Sequence, residues 1–147
     1  MLSRTIDGPR RLVFEAFTDV RHLSQWWGPD AFTTTTRAFE FRPGGVWDFT
    51  MHGPDGSNYR NWIEWLEISS PEQIVYRHGS DALDHTAFVS TVTLVDRGAR
   101  CEVILRSVFN SKAQRDEVIE RYRAIEGGKQ TLGRLAGYVA AMIGERR

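Results

Sequence analysis

The chain has 147 residues, of which 41% are hydrophobic and 26% are charged, a balance typical of a folded globular domain. Its 19 basic and 19 acidic residues cancel, and a net charge of zero argues against nucleic acid or an anionic membrane surface as a partner. Cys101 is the single cysteine and rules out an intrachain disulfide, while neither a run of about 18 apolar residues nor a signal peptide is present. We therefore expect one domain over residues 1–147 that works in the cytoplasm without membrane insertion.

The first thirty residues predict a short strand followed by two short helices. Asp7-Gly8-Pro9 is a turn that opens a helix of about ten residues, because the fixed φ of proline suits the first helical position. Asp19 can cap a second helix that ends at Gly28. This helix carries Trp26 and Trp27, which point about 100° apart around its axis. Either one ring packs on the core while the other covers a cavity mouth, or both anchor the helix.

Beyond Ala31 the hydrophobic period changes to two, which predicts antiparallel strands joined by hairpins. The predicted strands are 32–42, 46–52, 59–68, 73–78, 86–95 and 100–109. Turn formers separate them, as in Pro54-Asp55-Gly56, where proline presets φ and glycine accepts the exit conformation. A β-bulge at Gly44-Gly45 would reverse the faces assigned along the neighbouring strand.

The C-terminal part of the chain predicts helices. Ser111 and Gln114 form a capping box, and apolar residues then repeat at helical spacing to about Gly144. Gly127-Gly128 interrupts this pattern and marks a cap, a bend or a close contact. Arg134 is expected on the face that contacts water.

The order of these elements predicts the fold class. Strands in one run beside segregated helices indicate an α+β domain. We expect a curved antiparallel sheet of about seven strands that packs against a long C-terminal helix. An enclosed space between the sheet and this helix is geometrically natural.

Five segments of the chain carry a resemblance to a known family. They are 9–17, 23–28 (LSQWWG), 41–47 (FRPGGVW), 51–56 (MHGPDG) and 126–132 (EGGKQTL). Together they resemble the SRPBCC superfamily and, more narrowly, the bacterial proteins named for homology to the activator of Hsp90 ATPase. The resemblance implies a helix-grip fold, similar to START and Bet v 1 domains, with a hydrophobic cavity between the sheet and the long helix. Members of the family differ in function, so the resemblance implies a fold more narrowly than an activity.

Aromatic residues dominate the predicted interior face of the sheet. Small-molecule sites are mostly apolar with a few placed polar groups, so this face is a candidate ligand cavity, with a packed aromatic core as the alternative. On the strand 59–68 we place Ile63 and Trp65 inside, as in the resembled family, rather than Trp62 and Leu66. The candidate ligand-binding residues are Trp26, Trp27, Phe41, Trp47, Phe49, Met51, Trp65, Tyr76, His78, Phe88, Leu135 and Val139.

His78 is the best candidate for a polar group inside the cavity, because alternation places it on the face of Ile74 and Tyr76. Such a histidine either orients a ligand, acts as a general acid or base, or is a satisfied structural residue. An enzyme that cyclises or hydrolyses a substrate would use His78, Tyr76 or Glu67, the last being a possible inward carboxylate. The spacing of the four histidines fits no metal site, no nucleotide motif is present, and we expect neither a metal nor a cofactor.

The leading hypothesis is the binding of a small hydrophobic or amphipathic molecule between the sheet and the C-terminal helix. A protein-interaction module is the second hypothesis. It is motivated by an exposed Trp62, which would mark a partner or homodimer surface, and by Gly133 and Gly137, which permit close approach of another backbone. Hsp90 itself is not expected as a partner, because the N-terminal chaperone-binding domain of the eukaryotic co-chaperone has no counterpart in this sequence.

Overall fold

A seven-stranded antiparallel sheet and four helices make up the computed structural model, which describes residues 1–122 and 124–145. In chain order the elements are β1 (Leu2–Ile6), α1 (Arg10–Glu15), α2 (Val20–Trp26), β2 (Thr33–Phe39), β3 (Val46–His52), β4 (Asn58–Ser69), β5 (Gln73–Gly79), β6 (Phe88–Arg97), β7 (Arg100–Val108), α3 (Lys112–Tyr122) and α4 (Ala124–Glu145). The strand order is β1-β7-β6-β5-β4-β3-β2. The expected α+β helix-grip architecture is confirmed, with the long helix α4 against the curved sheet.

The two short helices follow their local signals. The Asp19 carboxylate caps α2 by accepting a hydrogen bond of 2.8 Å from the Arg21 backbone N–H. Helix α1 has six residues rather than about ten, because the hydrogen bonds that follow it span three residues, as from Phe17 N–H to the Phe14 carbonyl at 3.0 Å. The chain therefore turns early and α2 folds back on α1, where Trp26 Nε1 donates to the Ala16 carbonyl at 3.1 Å.

The strand β4 contains the irregularity that decides which side chains face inward. Ile63 and Trp65 are fully buried, which confirms the interior pair expected for this strand. The pairing of β4 with β5 then shifts between Trp65 and Glu67. This bulge turns Glu67 to solvent, so the expectation of an inward carboxylate at this position was wrong.

The Gly44-Gly45 turn is not the place of a register shift. Gly44 N–H donates to the Trp65 carbonyl at 2.7 Å, and Trp65 N–H donates to the Gly45 carbonyl at 2.9 Å. A Cβ on Gly45 would lie 2.2 Å from the Glu40 carbonyl oxygen, so only glycine fits there. The second shift in the sheet lies on β2, between Thr36 and Ala38.

Helix α4 presents an apolar stripe to the sheet, with Leu132, Leu135, Val139 and Met142 all buried. Close approaches to the helix occur at two glycines. A Cβ on Gly128 would lie 2.4 Å from Leu2 Cδ1, and one on Gly8 would lie 2.7 Å from Val139 Cγ1. The glycine pair at 127–128 thus lies inside α4 and marks a close contact. None of the helices in the described part of the chain is both long and apolar enough to span a membrane.

Gly133 and Gly137, which would permit the close approach of another backbone, have no such neighbour in the described part of the chain. A Cβ on Gly137 would meet nothing within 4 Å, and one on Gly133 would meet only the Arg4 guanidinium at 3.8 Å. The physical reason is the orientation of α4, whose contacts with β1 and the following turn are made by Gly128 and Val139 instead.

Candidate ligand-binding site

A cavity of about 250 Å³ lies between the inner face of the sheet and the beginning of α4. This volume is slightly below the range of about 300 to 1,000 Å³ that is usual for small-molecule sites. Strands β5, β6 and β7 form the floor, and the α2–β2 loop, α3 and α4 form the walls. The lining residues are Phe17, Trp26, Trp27, Gly28, Pro29, Met51, Tyr76, His78, Phe88, Ser90, Val92, Val103, Leu105, Ser107, Phe109, Val118, Gly127, Gly128, Thr131 and Leu132.

The sequence-predicted site residues divide into two groups of six. The structure brings one group together around the cavity: Trp26, Trp27, Met51, Tyr76, His78 and Phe88. The other group belongs to or packs against the hydrophobic core, outside the described lining: Phe41, Trp47, Phe49, Trp65, Leu135 and Val139. The difference arises because the cavity lies over the later strands and the first turns of α4, whereas the second group lies under β2–β4 or further along the helix.

The core at the β2–β4 end is filled by rings. Trp47 and Phe49 stack with their ring centroids 3.7 Å apart, and Trp47 Nε1 donates to Thr36 Oγ1 at 3.0 Å. The Phe41 and Trp65 rings meet edge to face with centroids 4.9 Å apart. These contacts leave no space for a ligand among these side chains, which explains why they do not line the cavity.

Two serines of the cavity floor were not among the predicted residues. Ser90 on β6 lies directly opposite Tyr76 on β5, and Ser107 on β7 lies directly opposite Ser90. The two serine hydroxyls are hydrogen-bonded at 2.8 Å. The same alternation that placed Phe88 and Val92 inside also includes Ser90, so the sequence held the signal for this residue.

Tyr76 and the two serines make a row of hydroxyl groups across three neighbouring strands. Burial raises the pKa of Tyr76 to about 12, although the neighbouring Ser90 hydroxyl acts in the opposite direction. The phenol is therefore neutral at physiological pH. The row supplies uncharged hydrogen-bond donors and acceptors to a mostly apolar space.

His78 adds one further polar group, and Asn61 determines its tautomer. Asn61 Nδ2 donates to the Tyr59 carbonyl at 3.0 Å, which directs Asn61 Oδ1 towards His78 Nε2 at 2.7 Å. Because Oδ1 can only accept, Nε2 carries the proton and Nδ1 has a free lone pair. Burial lowers the pKa of His78 to about 4, with a weaker opposing effect of Asp84. The ring is therefore neutral at pH 7 and is a weak base.

Trp26 and Trp27 take different positions. Trp26 packs on Phe17 with ring centroids 4.9 Å apart, at the edge between the core and the cavity. Trp27 lies over the cavity floor, with ring centroids 6.1 Å from Tyr76 and 6.4 Å from His78. Both rings are buried and both line the cavity, and Trp27 also contacts the core ring of Trp47 at 5.2 Å, so the structure combines the two expected alternatives.

Arg134 holds this tryptophan wall, contrary to the expectation that it faces water. Its Nη1 donates to the carbonyls of Trp27, Gly28 and Pro29 at 3.1, 3.1 and 2.9 Å, and its Nη2 donates to the Gln25 carbonyl at 3.2 Å. The short helix α2 ends beside α4 and leaves these carbonyls without helical partners, so the half-buried guanidinium is drawn to them. A cation at the C-terminus of a helix is also electrostatically favourable.

The conformation of the same loop requires glycine at position 28. Its φ of +97° lies in the left-handed region, and a Cβ there would come within 2.7 Å of Met51 Cε. Asp30 N–H then donates to Gln130 Oε1 at 3.1 Å and attaches the loop to α4 a second time. The α2–β2 loop side of the cavity is thus built from backbone that two side chains of α4 hold in place.

Trp62 and Cys101 lie outside the described lining of the cavity. Trp62 is half-buried on the outer face of the sheet and is not the exposed tryptophan expected of a partner surface. Burial raises the pKa of the Cys101 thiol to about 11, which disfavours the reactive thiolate. Among the described residues no three His, Cys, Asp or Glu side chains are grouped as a metal site would require.

The family described as Activator of Hsp90 ATPase homolog 1-like protein matches residues 7–140. The chain belongs to this family. The match includes the filled core and the cavity lining, and it confirms the family indicated by the sequence motifs. No curated protein matches the chain.

Solved structures of bacterial proteins share the fold. A protein of Arthrobacter aurescens is 25% identical with a TM-score of 0.86, and the match covers 95% of this chain and 84% of that one. One of Nitrosomonas europaea is 20% identical with a TM-score of 0.80, covering 96% and 93%. The AHSA1 protein of Silicibacter pomeroyi is 22% identical with a TM-score of 0.75, covering 96% of both chains.

Proposed function

We propose that this protein binds a small hydrophobic or amphipathic molecule in the cavity between the sheet and α4. The observation that carries the proposal is a space of about 250 Å³ lined by rings and aliphatic side chains, with a few polar groups. Protein interiors normally contain few voids larger than a water molecule, because unfilled space sacrifices packing contacts. A space of this size, beside a core filled by tryptophan and phenylalanine, supports a binding site for a small ligand.

The walls of the cavity support a preformed site. The Arg134 guanidinium and the Gln130 side chain hold the α2–β2 loop, and the loop positions Trp27. A wall held in this way loses little conformational freedom when a ligand enters, which favours affinity.

Two matched variants on β7 test the proposal. Ser107→Phe adds a ring on the inner face, inside the cavity, whereas Val108→Phe adds the same ring at the next position, which is 56% exposed. Each protein is purified from its own host and examined by native mass spectrometry before and after denaturation. We expect a small-molecule adduct on the natural protein and on Val108→Phe, and none on Ser107→Phe.

Thermal unfolding with a panel of apolar compounds gives the second readout. A ligand at about 100 times its Kd stabilises the folded state by about 2.7 kcal/mol, and only the variants with an open cavity should respond. The proposal is wrong if the natural protein carries no adduct and responds to no compound, or if Ser107→Phe retains the adduct while folded by circular dichroism.

A further inference from the structure

We infer that the cavity selects an uncharged molecule that carries a hydroxyl or N–H group, and that His78 Nδ1 accepts the hydrogen bond from this group. The inference rests on the proposed function and specifies the chemistry of the ligand. Three features of the described lining support it: the tautomer of His78, the rings around it, and the absence of charged side chains.

The first feature is the single free lone pair on His78. The bond from Nε2 to Asn61 Oδ1, at 2.7 Å, occupies the only N–H of the neutral ring. Among the described residues no donor bonds to Nδ1, so this atom offers an acceptor to the cavity that His78 lines. A ligand that only accepts hydrogen bonds, such as an ether or a ketone, cannot satisfy it.

The second feature is the set of rings around this acceptor. The ring centroids of Trp27, Tyr76 and His78 form a nearly equilateral triangle with sides of 6.1, 6.4 and 6.2 Å. The Phe88 ring also lies next to His78, with the two ring centroids 5.2 Å apart. An apolar body, and especially a flat aromatic one, can pack against these faces while its polar group reaches His78.

The third feature is charge. Among the described lining residues there is no Lys, Arg, Asp or Glu. Arg134 is occupied by backbone carbonyls, and Asp84, the acidic residue that acts on His78, would repel an anion. A carboxylate in this cavity would lose its hydration without a counter-ion, which is costly. A hydroxyl loses much less, because it can donate to His78 and can accept from the hydroxyl row of Tyr76, Ser90 and Ser107.

Three naphthalene derivatives of similar size separate these contributions. The probes are 2-naphthol, which donates and accepts, 2-methoxynaphthalene, which only accepts, and 2-naphthoate, which is an anion at pH 7. Their Kd values are measured by isothermal titration calorimetry at pH 7. We expect 2-naphthol to bind about fivefold tighter than 2-methoxynaphthalene, as one hydrogen bond allows, and at least about tenfold tighter than 2-naphthoate.

Substitutions assign the effect to His78. His78→Phe keeps an aromatic ring and should reduce the ratio between 2-naphthol and 2-methoxynaphthalene to about one. His85→Phe, at an exposed histidine outside the described lining, is the matched control and should keep the ratio of the natural protein. Asn61→Leu leaves His78 in place but releases its tautomer, so the ratio should fall part of the way, and this variant replaces His78→Phe if the latter does not fold.

The outcomes distinguish the two proposals. Binding of 2-naphthoate as tight as that of 2-naphthol, or a ratio that His78→Phe leaves unchanged, overturns the inference while the cavity remains a binding site. Failure of all three probes to bind a natural protein that also carries no adduct from its host contradicts the proposed function, and the inference fails with it.

Discussion

The two ends of the inner sheet face differ in how they use aromatic residues. At the β2–β4 end Trp47, Phe49 and Trp65 are fully buried and fill the core, whereas at the β5–β7 end Tyr76 and Ser90 border a space of about 250 Å³. The same sheet thus has a filled end and a hollow end. The β2–β4 end is packed as a stable core is. The β5–β7 end keeps polar side chains and unfilled space, neither of which would be needed for stability alone.

The largest expected effect is at the filled end. Trp47→Ala removes a fully buried ring that stacks on Phe49, and it should lower the free energy of unfolding by about 3 to 5 kcal/mol. Phe88→Ala, at a half-buried position that lines the cavity, should cost about 1 kcal/mol because the ring makes fewer packing contacts there. Urea denaturation measures both variants. Equal losses would remove the distinction between the two ends.

The next effect concerns the hollow end and pH. The unfolded chain takes up a proton on His78 with an ordinary pKa of 6.5, whereas in the folded protein burial lowers this pKa to about 4. Between these values the unfolded state binds more protons, so the free energy of unfolding should fall as the pH falls from about 6.5 towards 4, by up to about 3 kcal/mol. The contribution of His78 is fully present above pH 6.5.

The comparison of two proteins isolates this contribution. His78→Phe has no titrating group at this position, so its stability should fall less than that of the natural protein between pH 7 and pH 4.5. Urea denaturation at the two pH values measures the difference. The same decrease in both proteins would show that the half-buried His78 is not the cause.

A smaller effect on stability is expected at the α2–β2 loop, which Arg134 holds against α4. Arg134→Met removes the donor to four backbone carbonyls and should lower the free energy of unfolding by about 2 kcal/mol. It should also increase the amide hydrogen exchange of Trp27, since the loop loses its attachment to α4. Lys129→Met, an exposed change on the same helix, is the control and should alter neither property. Unchanged exchange at Trp27 in Arg134→Met would contradict the role of Arg134 as a positioning residue.

The smallest effect on stability should come from Ser107→Val. It removes the hydrogen bond of 2.8 Å to Ser90 but adds apolar volume at the cavity floor, so the free energy of unfolding should change by less than about 1 kcal/mol. The affinity for 2-naphthol should nevertheless fall, because the hydroxyl row loses a member. Calorimetric titration measures the affinity of Ser107→Val for 2-naphthol, and urea denaturation measures its stability. A change in stability without a change in affinity would assign the serines to the core alone.

Local chemistry explains how much of the fold was predictable. The strand Val46–His52 was predicted with its observed bounds, because alternating residues lie between two glycine turns. The cap at Asp19 also depends on residues close in sequence. Glu67 was misplaced because a bulge adds one residue to a strand without altering its composition. Nothing in the sequence around Trp65 separates a regular strand from a bulged one.

The cavity was only partly predictable for a different reason. Alternation and the family resemblance pointed to the inner face, and Tyr76 and His78 do line the space. Whether a ring on that face fills a core or borders a void depends on what stands opposite. Trp47 and Tyr76 both contact the Trp27 ring, with centroids 5.2 and 6.1 Å apart, yet only Tyr76 also borders the cavity. Arg134 was assigned to solvent because helical periodicity describes one helix and contains no information about the carbonyls that another segment brings to it.

By itself the sequence determined the family, the order of the elements and the alternation that selects the inner face, since these depend on neighbouring residues and on motifs. The tertiary structure alone decided where the sheet bulges, which rings meet, and that the neutral His78 and the hydroxyl row border one space. These outcomes depend on residues far apart in the chain, as in the pairing of Trp27 with Arg134 at a separation of 107 positions. Packing between such segments is set by shape and unsatisfied hydrogen bonds, which no local pattern records.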